Sequence, residues 1–167
     1  MGVCAMMSLA NDGAKGKIMT MTATAIFNGT YTLTNVATGD YKTLRVRTQK
    51  ADARFAAGKR IAALLSGPDN NTSYTGFAFV DDASIRVWGK KRAADGKGAF
   101  EYYANLLPKA SEALIGAEGL EVDGTFTAAG REYRVQLSKK CLVCNRKLTT
   151  PESINRGMGP RCRMGIA

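Results

Sequence analysis

The sequence predicts an α+β fold: a small, mostly antiparallel β domain with one helix over residues 22–137, followed by a C-terminal zinc knuckle over residues 138–167. Three observations predict it. From Thr22 onward, short segments rich in Thr, Val, Ile, Tyr and Phe alternate in polarity and are broken by Gly, Asn and Asp, the pattern of strands joined by turns. A single segment, "GAFEYYANLLPKA", places Phe100, Tyr103, Ala104 and Leu107 at helical spacing, with Pro108 expected to end it. And "CLVCNRKLTTPESINRGMGPRC", residues 141–162, opens on two cysteines a tight turn apart and closes on a third, in a chain without histidine.

The β elements follow in order. "AIFNGTYTLTNV" contains Asn28-Gly29, a strong hairpin dipeptide because both residues tolerate positive φ. Gly39-Asp40 precedes a strand in which Leu44 and Val46 point one way and Arg45 and Arg47 the other, giving one basic face. "AGKRIAALLSG" is an apolar run compatible with strand or helix, and "SGPDNNTS" is a turn-rich loop. "YTGFAFVDDASIRVWGKK" reads as two strands around Asp81-Asp82, with Phe77 and Phe79 on one face and Ile85 and Val87 continuing the alternation. "GLEVDGTFTAAGREYRVQL" reads as a final hairpin with Gly124 and Gly130 as turns and Tyr133, Val135 and Leu137 in alternation. Strand pattern gives way to "KKC" near Ser138.

At 167 residues the chain is the size of one domain with a small appendix, long enough to bury a core without disulfide staples. Its 45% hydrophobic and 23% charged residues are ordinary for a globular protein. No apolar run spans a bilayer, and residues 1–21 lack the basic start of a secretory signal, so they are expected to be a flexible leader on a cytoplasmic protein. Met1, Met6, Met7, Met19 and Met21 are all possible translation starts, so Cys4 need not belong to the mature chain.

The net charge is +10, and from Ser138 onward seven basic residues face Glu152 alone, a net +6 on the cysteine-bearing tail. A dense positive patch favours nucleic acid, an acidic protein or an acidic surface, through Coulomb attraction and counterion release; a solvated basic face is the plain alternative. Tyr31, Tyr74 and Trp88 sit among basic residues and glycines. Aromatics in strand patterns are first of all core, but such interleaving also suits a stacking surface for single strands.

Cys141 and Cys144 form C-x2-C, a spacing that lets two thiolates chelate one Zn²⁺ from a tight turn. Asn145 can supply the positive φ that such a knuckle often needs, and Arg146 and Lys147 offset thiolate charge. Thr150 then caps a short helix begun by Pro151 and stopped by Gly157, before "GMGPRC" turns back to Cys162. Cys141, Cys144 and Cys162 are the expected metal ligands, in a zinc-ribbon-like or treble-clef-like tail. Three thiolates leave a tetrahedral site open: Cys4, a carboxylate such as Glu152, a side-chain oxygen or solvent could complete it. Without histidine or a placed general base, zinc is expected to be structural rather than catalytic; a redox dithiol lacks its βαβ setting.

The tail resembles an uncharacterised cysteine-knuckle family, the domain of unknown function 6011, frequent in bacteriophage and actinobacterial proteins. Its pattern is close to C-x2-C-G-R-x-L-T-x-P-x-S, then G-x-G-P-x-C. Cys141, Cys144, Arg146, Leu148, Thr149, Pro151, Ser153, Gly157, Gly159, Pro160 and Cys162 match it, and Asn145 replaces the glycine. The resemblance covers about the last 25 residues. It implies metal binding and a phage-like origin, hence a host cytoplasm, and brings no established activity.

The expected function is nucleic-acid binding, to DNA or RNA, with zinc fixing a loop and short helix that present Arg146, Lys147, Arg156, Arg161 and Arg163 to phosphates. One rival is an interaction module that modulates a host enzyme, with zinc purely structural. Another is an enzyme acting on nucleic acid, whose best carboxylates, Asp81 and Asp82, are adjacent and read more naturally as a turn. No membrane partner is expected.

Overall fold

The structure is a computed structural model that describes residues 26–82, 84–116 and 119–165; the leader over residues 1–21, Cys4 included, lies outside the described residues. The elements run β1 (Gly29–Asn35), β2 (Tyr41–Thr48), β3 (Arg60–Leu65), β4 (Tyr74–Val80), β5 (Ile85–Val87), α1 (Ala99–Glu112), β6 (Ile115–Gly116), β7 (Gly119–Leu120), β8 (Asp123–Ala128), β9 (Arg131–Leu137), α2 (Pro151–Arg156) and α3 (Pro160–Arg163). The fold class is the expected α+β: one seven-stranded antiparallel sheet in the order β5-β4-β3-β2-β1-β9-β8, one long helix, and a tail bearing three clustered cysteines.

α1 packs against both β5 and β8, the two edges of the sheet. The sheet therefore curls around the helix, which shields edges that would otherwise offer unpaired backbone groups. The enclosed face holds Tyr31, Leu44, Val46, Phe77 and Val135 against Leu107 and Leu114, all essentially inaccessible. Phe77 stacks on Phe100 of α1 at 5.1 Å between ring centroids. Each such buried side chain contributes about 1.5–3 kcal/mol relative to exposure.

The opposite face is polar over β1, β2 and β9. Cross-strand partners share a face, and the pairs Thr30↔Arg45, Thr32↔Thr43 and Thr32↔Gln136 place all five side chains there. The basic face expected for β2 is present, since Leu44 and Val46 are buried whereas Arg47 is exposed and Arg45 lies half-buried across the sheet surface.

Four local expectations are corrected. Asn28-Gly29 makes no turn: Gly29 opens β1, and the β1–β2 connection is a turn closed by Asn35 N–H donating to Asp40 O, with Gly39 at φ 75°. Asn28 instead uses its side chain, donating to Thr48 and accepting from Arg60. Pro108 lies inside α1, which continues to Glu112, because the extra turn carries Ala110 and Ser111 into the core and leads to Leu114. Phe77 and Phe79 face opposite sides, because a bulge shifts the β3–β4 register between Ala62 and Ala63. Gly124 lies within β8, whereas Ala129 and Gly130, at φ 49° and 69°, make the hairpin turn.

Gly124 is required by close approach. A Cβ there would lie 2.1 Å from Ala113 O, backbone against backbone at the end of α1. Gly124→Ala is expected to destabilise the protein by about 1–3 kcal/mol, the usual cost of forcing a group into a packed site. Equilibrium urea unfolding checks this; equal midpoints for variant and parent would contradict it.

Candidate metal centre

After β9 the chain turns onto the polar sheet face. Leu148 N–H donates to Lys139 O at 2.8 Å and Cys141 N–H to Arg146 O at 2.8 Å, so Lys140 and Lys147 form a bridge that closes a small loop. Within it, Asn145 N–H donates to Cys141 O at 3.0 Å, and Asn145 adopts φ 57°, the left-handed conformation expected of it. Thr150 caps α2 by accepting from Ser153 N–H, Pro151 begins the helix, and Gly157 ends it at φ 67°. Gly159 and Pro160 then start α3, which carries Cys162 back to the loop. Leu148 and Ile154 are buried beside Cys141, with Met158 and Cys162 packed against them. Among the described residues that cluster is the tail's apolar core, small for about 28 residues that must be ordered.

Hydrogen bonds seat this tail on the sheet. Buried Thr32 and Thr43 both donate to Thr149 O, at 2.9 and 3.3 Å. Gln136 donates to Asn155 at 2.8 Å, and Asn70, from the β3–β4 loop, donates to Lys147 O at 3.3 Å. The threonines that make this face polar over β1 and β2 are thus a docking surface for the tail.

The thiols of Cys141, Cys144 and Cys162 converge, their sulfurs all within 4.8 Å of one another. Tetrahedral zinc at Zn–S ~2.3 Å sets sulfurs ~3.8 Å apart, and three sulfurs this close fit three of its four corners. Cys141 is buried and Cys144 exposed, and all three cysteines line a cavity of about 620 Å³. Backbone N–H groups of Cys144, Gly159 and Val143 point at the Cys141 sulfur and hold its pKa down to about 6. A sulfur already surrounded by amide donors is prepared to carry negative charge, as a metal ligand must. Cys162 is pushed up to about 11, first by its hydrogen bond to Cys144, then by burial and the neighbouring Cys141. The crowded thiolates repel until a cation joins them. The donor set fits a thiophilic cation such as zinc.

No fourth Cys, His, Asp or Glu joins the cluster among the described residues. Glu152, one candidate from the sequence, instead accepts from Arg156 at 2.9 Å and lies 3.9 Å from Arg163. Gly159 stands three residues before Cys162, where a second C-x2-C pair would place its first thiolate.

The five basic residues expected at phosphates divide between two neighbouring cavities that share Thr150, Ser153 and Pro160. Arg146 and Arg161 line the cysteine cavity together with Asp69, which sits in the β3–β4 loop. Arg156 and Arg163 share Glu152 beside a different cavity of about 400 Å³. Lys147 turns inward, its ammonium donating to Thr30 at 3.2 Å, and burial depresses its pKa. Of the aromatics considered for stacking, Tyr31 is fully buried, donates to Phe27 O and has its pKa raised to about 12 by that burial. Tyr74 lies under the Arg45 guanidinium, 3.7 Å from ring centroid to Cζ. Trp88 joins Phe79 and Phe55 in a cluster described below. Phe55 was invisible to strand patterning because it sits in the loop "ADARFAAGKR".

Fold and site together define an α+β protein with a C-terminal three-cysteine cluster suited to a metal ion. Residues 135–166 match a family of unknown function (DUF6011), in agreement with the resemblance carried by the knuckle residues. Neither curated proteins nor solved structures gave a match. Among the described residues no helix is long and apolar enough to cross a membrane.

Proposed function

We propose that the protein binds nucleic acid through a tail ordered by zinc, with Arg146 and Arg161 as the leading phosphate contacts. The observation that carries this reading is their placement. Arg146 lies two residues after Cys144 and Arg161 one residue before Cys162, both are exposed, and both line the cavity that the three cysteines share. A metal that fixes the cysteines therefore fixes two guanidiniums beside it, and guanidinium geometry matches phosphate oxygens. Arg156 and Arg163 extend the positive surface around α2 and α3. Thiols persist as metal ligands in a reducing compartment, which fits a cytoplasmic protein, and the phage-like origin of the resembling family fits a host cytoplasm.

The test is retention of the full chain on immobilised single- and double-stranded DNA and RNA at low salt. Retention that falls as salt rises supports the reading, and no retention on any of the four overturns it. One observation favours a second reading, an interaction module for another protein: Leu142 is 83% and Val143 59% exposed at the tip of the knuckle. Apolar side chains so displayed suit a protein partner, and failure of the retention test would favour that reading.

A further inference from the structure

Beyond the area that the tail covers, the same sheet face carries a second, aromatic surface. Across four strands the partners Arg47↔Ile61, Ile61↔Phe79 and Phe79↔Arg86 form one row on that face. Phe79 reaches it only because the bulge in the β3–β4 ladder reverses its direction relative to Phe77. Trp88 lies over Gly76, where an added Cβ would come within 2.7 Å of the indole ring. Phe55, from the β2–β3 connection, closes the cluster, stacked at 6.1 Å on Phe79 and edge-on at 5.2 Å to Trp88, and it remains 53% exposed. The Arg86 guanidinium stands 5.9 Å over the Phe79 ring. Arg47 and Arg86 are exposed at the two ends of the row, and the connection bearing Phe55 carries Lys50, Arg54 and Lys59 against Asp52.

A bulge, a glycine seat and a loop phenylalanine thus assemble three rings on the outside of the sheet, and α1 lies on the other side. These rings stand apart from the core that α1 covers, and their display between cationic side chains suits the stacking of bases. We propose that this surface binds single-stranded nucleic acid, with bases stacking on Phe55 and Trp88 and the backbone held by Arg47 and Arg86. Charge complementarity selects a polyanion, and exposed ring faces select one whose bases are unpaired. The proposal deepens the nucleic-acid reading and rests on it for the class of ligand, but it uses none of the tail residues.

Trp88 is the only tryptophan in the chain, so its emission reports on this surface alone. The full-length protein is titrated with unlabelled 12-nucleotide oligo(dT), oligo(U) and a 12-base-pair duplex. The expected result is saturable quenching by a single strand, weaker or absent with duplex; whether oligo(dT) or oligo(U) binds more tightly identifies DNA or RNA as the ligand. Phe55→Ala and Phe55→Leu are each expected to weaken binding by about 5- to 150-fold, the loss of one base–aromatic stack. Both keep the circular-dichroism spectrum of the parent, because Phe55 lies in an exposed loop. Phe55→Leu separates stacking from apolar contact. Absence of quenching by any strand, equal affinity for duplex, or parental affinity in Phe55→Leu would overturn the proposal. A change of oligomeric state in Phe55→Ala without strand binding would do so in favour of self-association. An Arg146→Ala/Arg161→Ala variant run in parallel keeps the two readings apart: quenching that survives it unchanged defeats the tail contacts and leaves this surface standing.

Discussion

Protein purified under reducing conditions is expected to carry one zinc per chain, and Cys144→Ser to lose it. Among the described residues the tail's core is Cys141, Leu148 and Ile154, with Met158 and Cys162 packed against it, too little to offset ordering of the chain around it. Structural zinc contributes about 10–16 kcal/mol of apparent binding free energy in small knuckles, much of it expressed as folding. Removing one of three thiolates removes most of that. Amide hydrogen exchange is the direct readout: residues 141–165 should lose protection in Cys144→Ser and after chelation, while β1 to β9 keep theirs. Acid acts in the same direction, since protons compete with metal for the thiolates and Cys162 holds its proton up to about pH 11 without metal. Elemental analysis finding no zinc, or unchanged zinc in Cys144→Ser, contradicts the metal assignment.

Replacing Arg146 and Arg161 together should weaken binding to every sequence alike. Each phosphate neutralised contributes ~0.7 to 0.9 to the slope of log affinity against log salt. Four tail arginines at phosphates give a slope of about −2.8 to −3.6, and the double variant should flatten it by about 1.4 to 1.8. Neither side chain offers a metal ligand, so zinc content should stay at the parental level. A double variant with the parental slope would remove both residues from the interface and point to Arg156 and Arg163, or to the aromatic face.

Much of this was legible in the sequence because it is local. The β2 alternation of Leu44 and Val46 against Arg45 and Arg47 is a property of eight consecutive residues, and Thr150, Pro151 and Gly157 cap α2 by their own side-chain and backbone preferences. The knuckle was readable for the same reason, since Asn145 supplies the one left-handed residue the loop needs. What stayed hidden depends on partners far along the chain. Asn28-Gly29 suits a hairpin turn, yet strand pairing from Gly29 onward takes precedence. Pro108 costs one helical hydrogen bond, and burial of the following turn outweighs it. The sides taken by Phe77 and Phe79 are set by a bulge that alternation cannot reveal. The threonines of β1 and β2 look like a solvated face until Thr149 O, more than a hundred residues away, is seen to accept from two of them.

The central claim joins metal to nucleic-acid binding, and one titration tests it. Fluorescence anisotropy of a labelled single strand is followed at low salt with the zinc-loaded full chain, with the same sample after chelation, and again after zinc is restored. A tail that must order itself on binding carries a cost of about 2–5 kcal/mol, so chelation should weaken affinity about 30-fold or more, and zinc should recover it. Identical curves for the loaded and chelated protein would contradict the account.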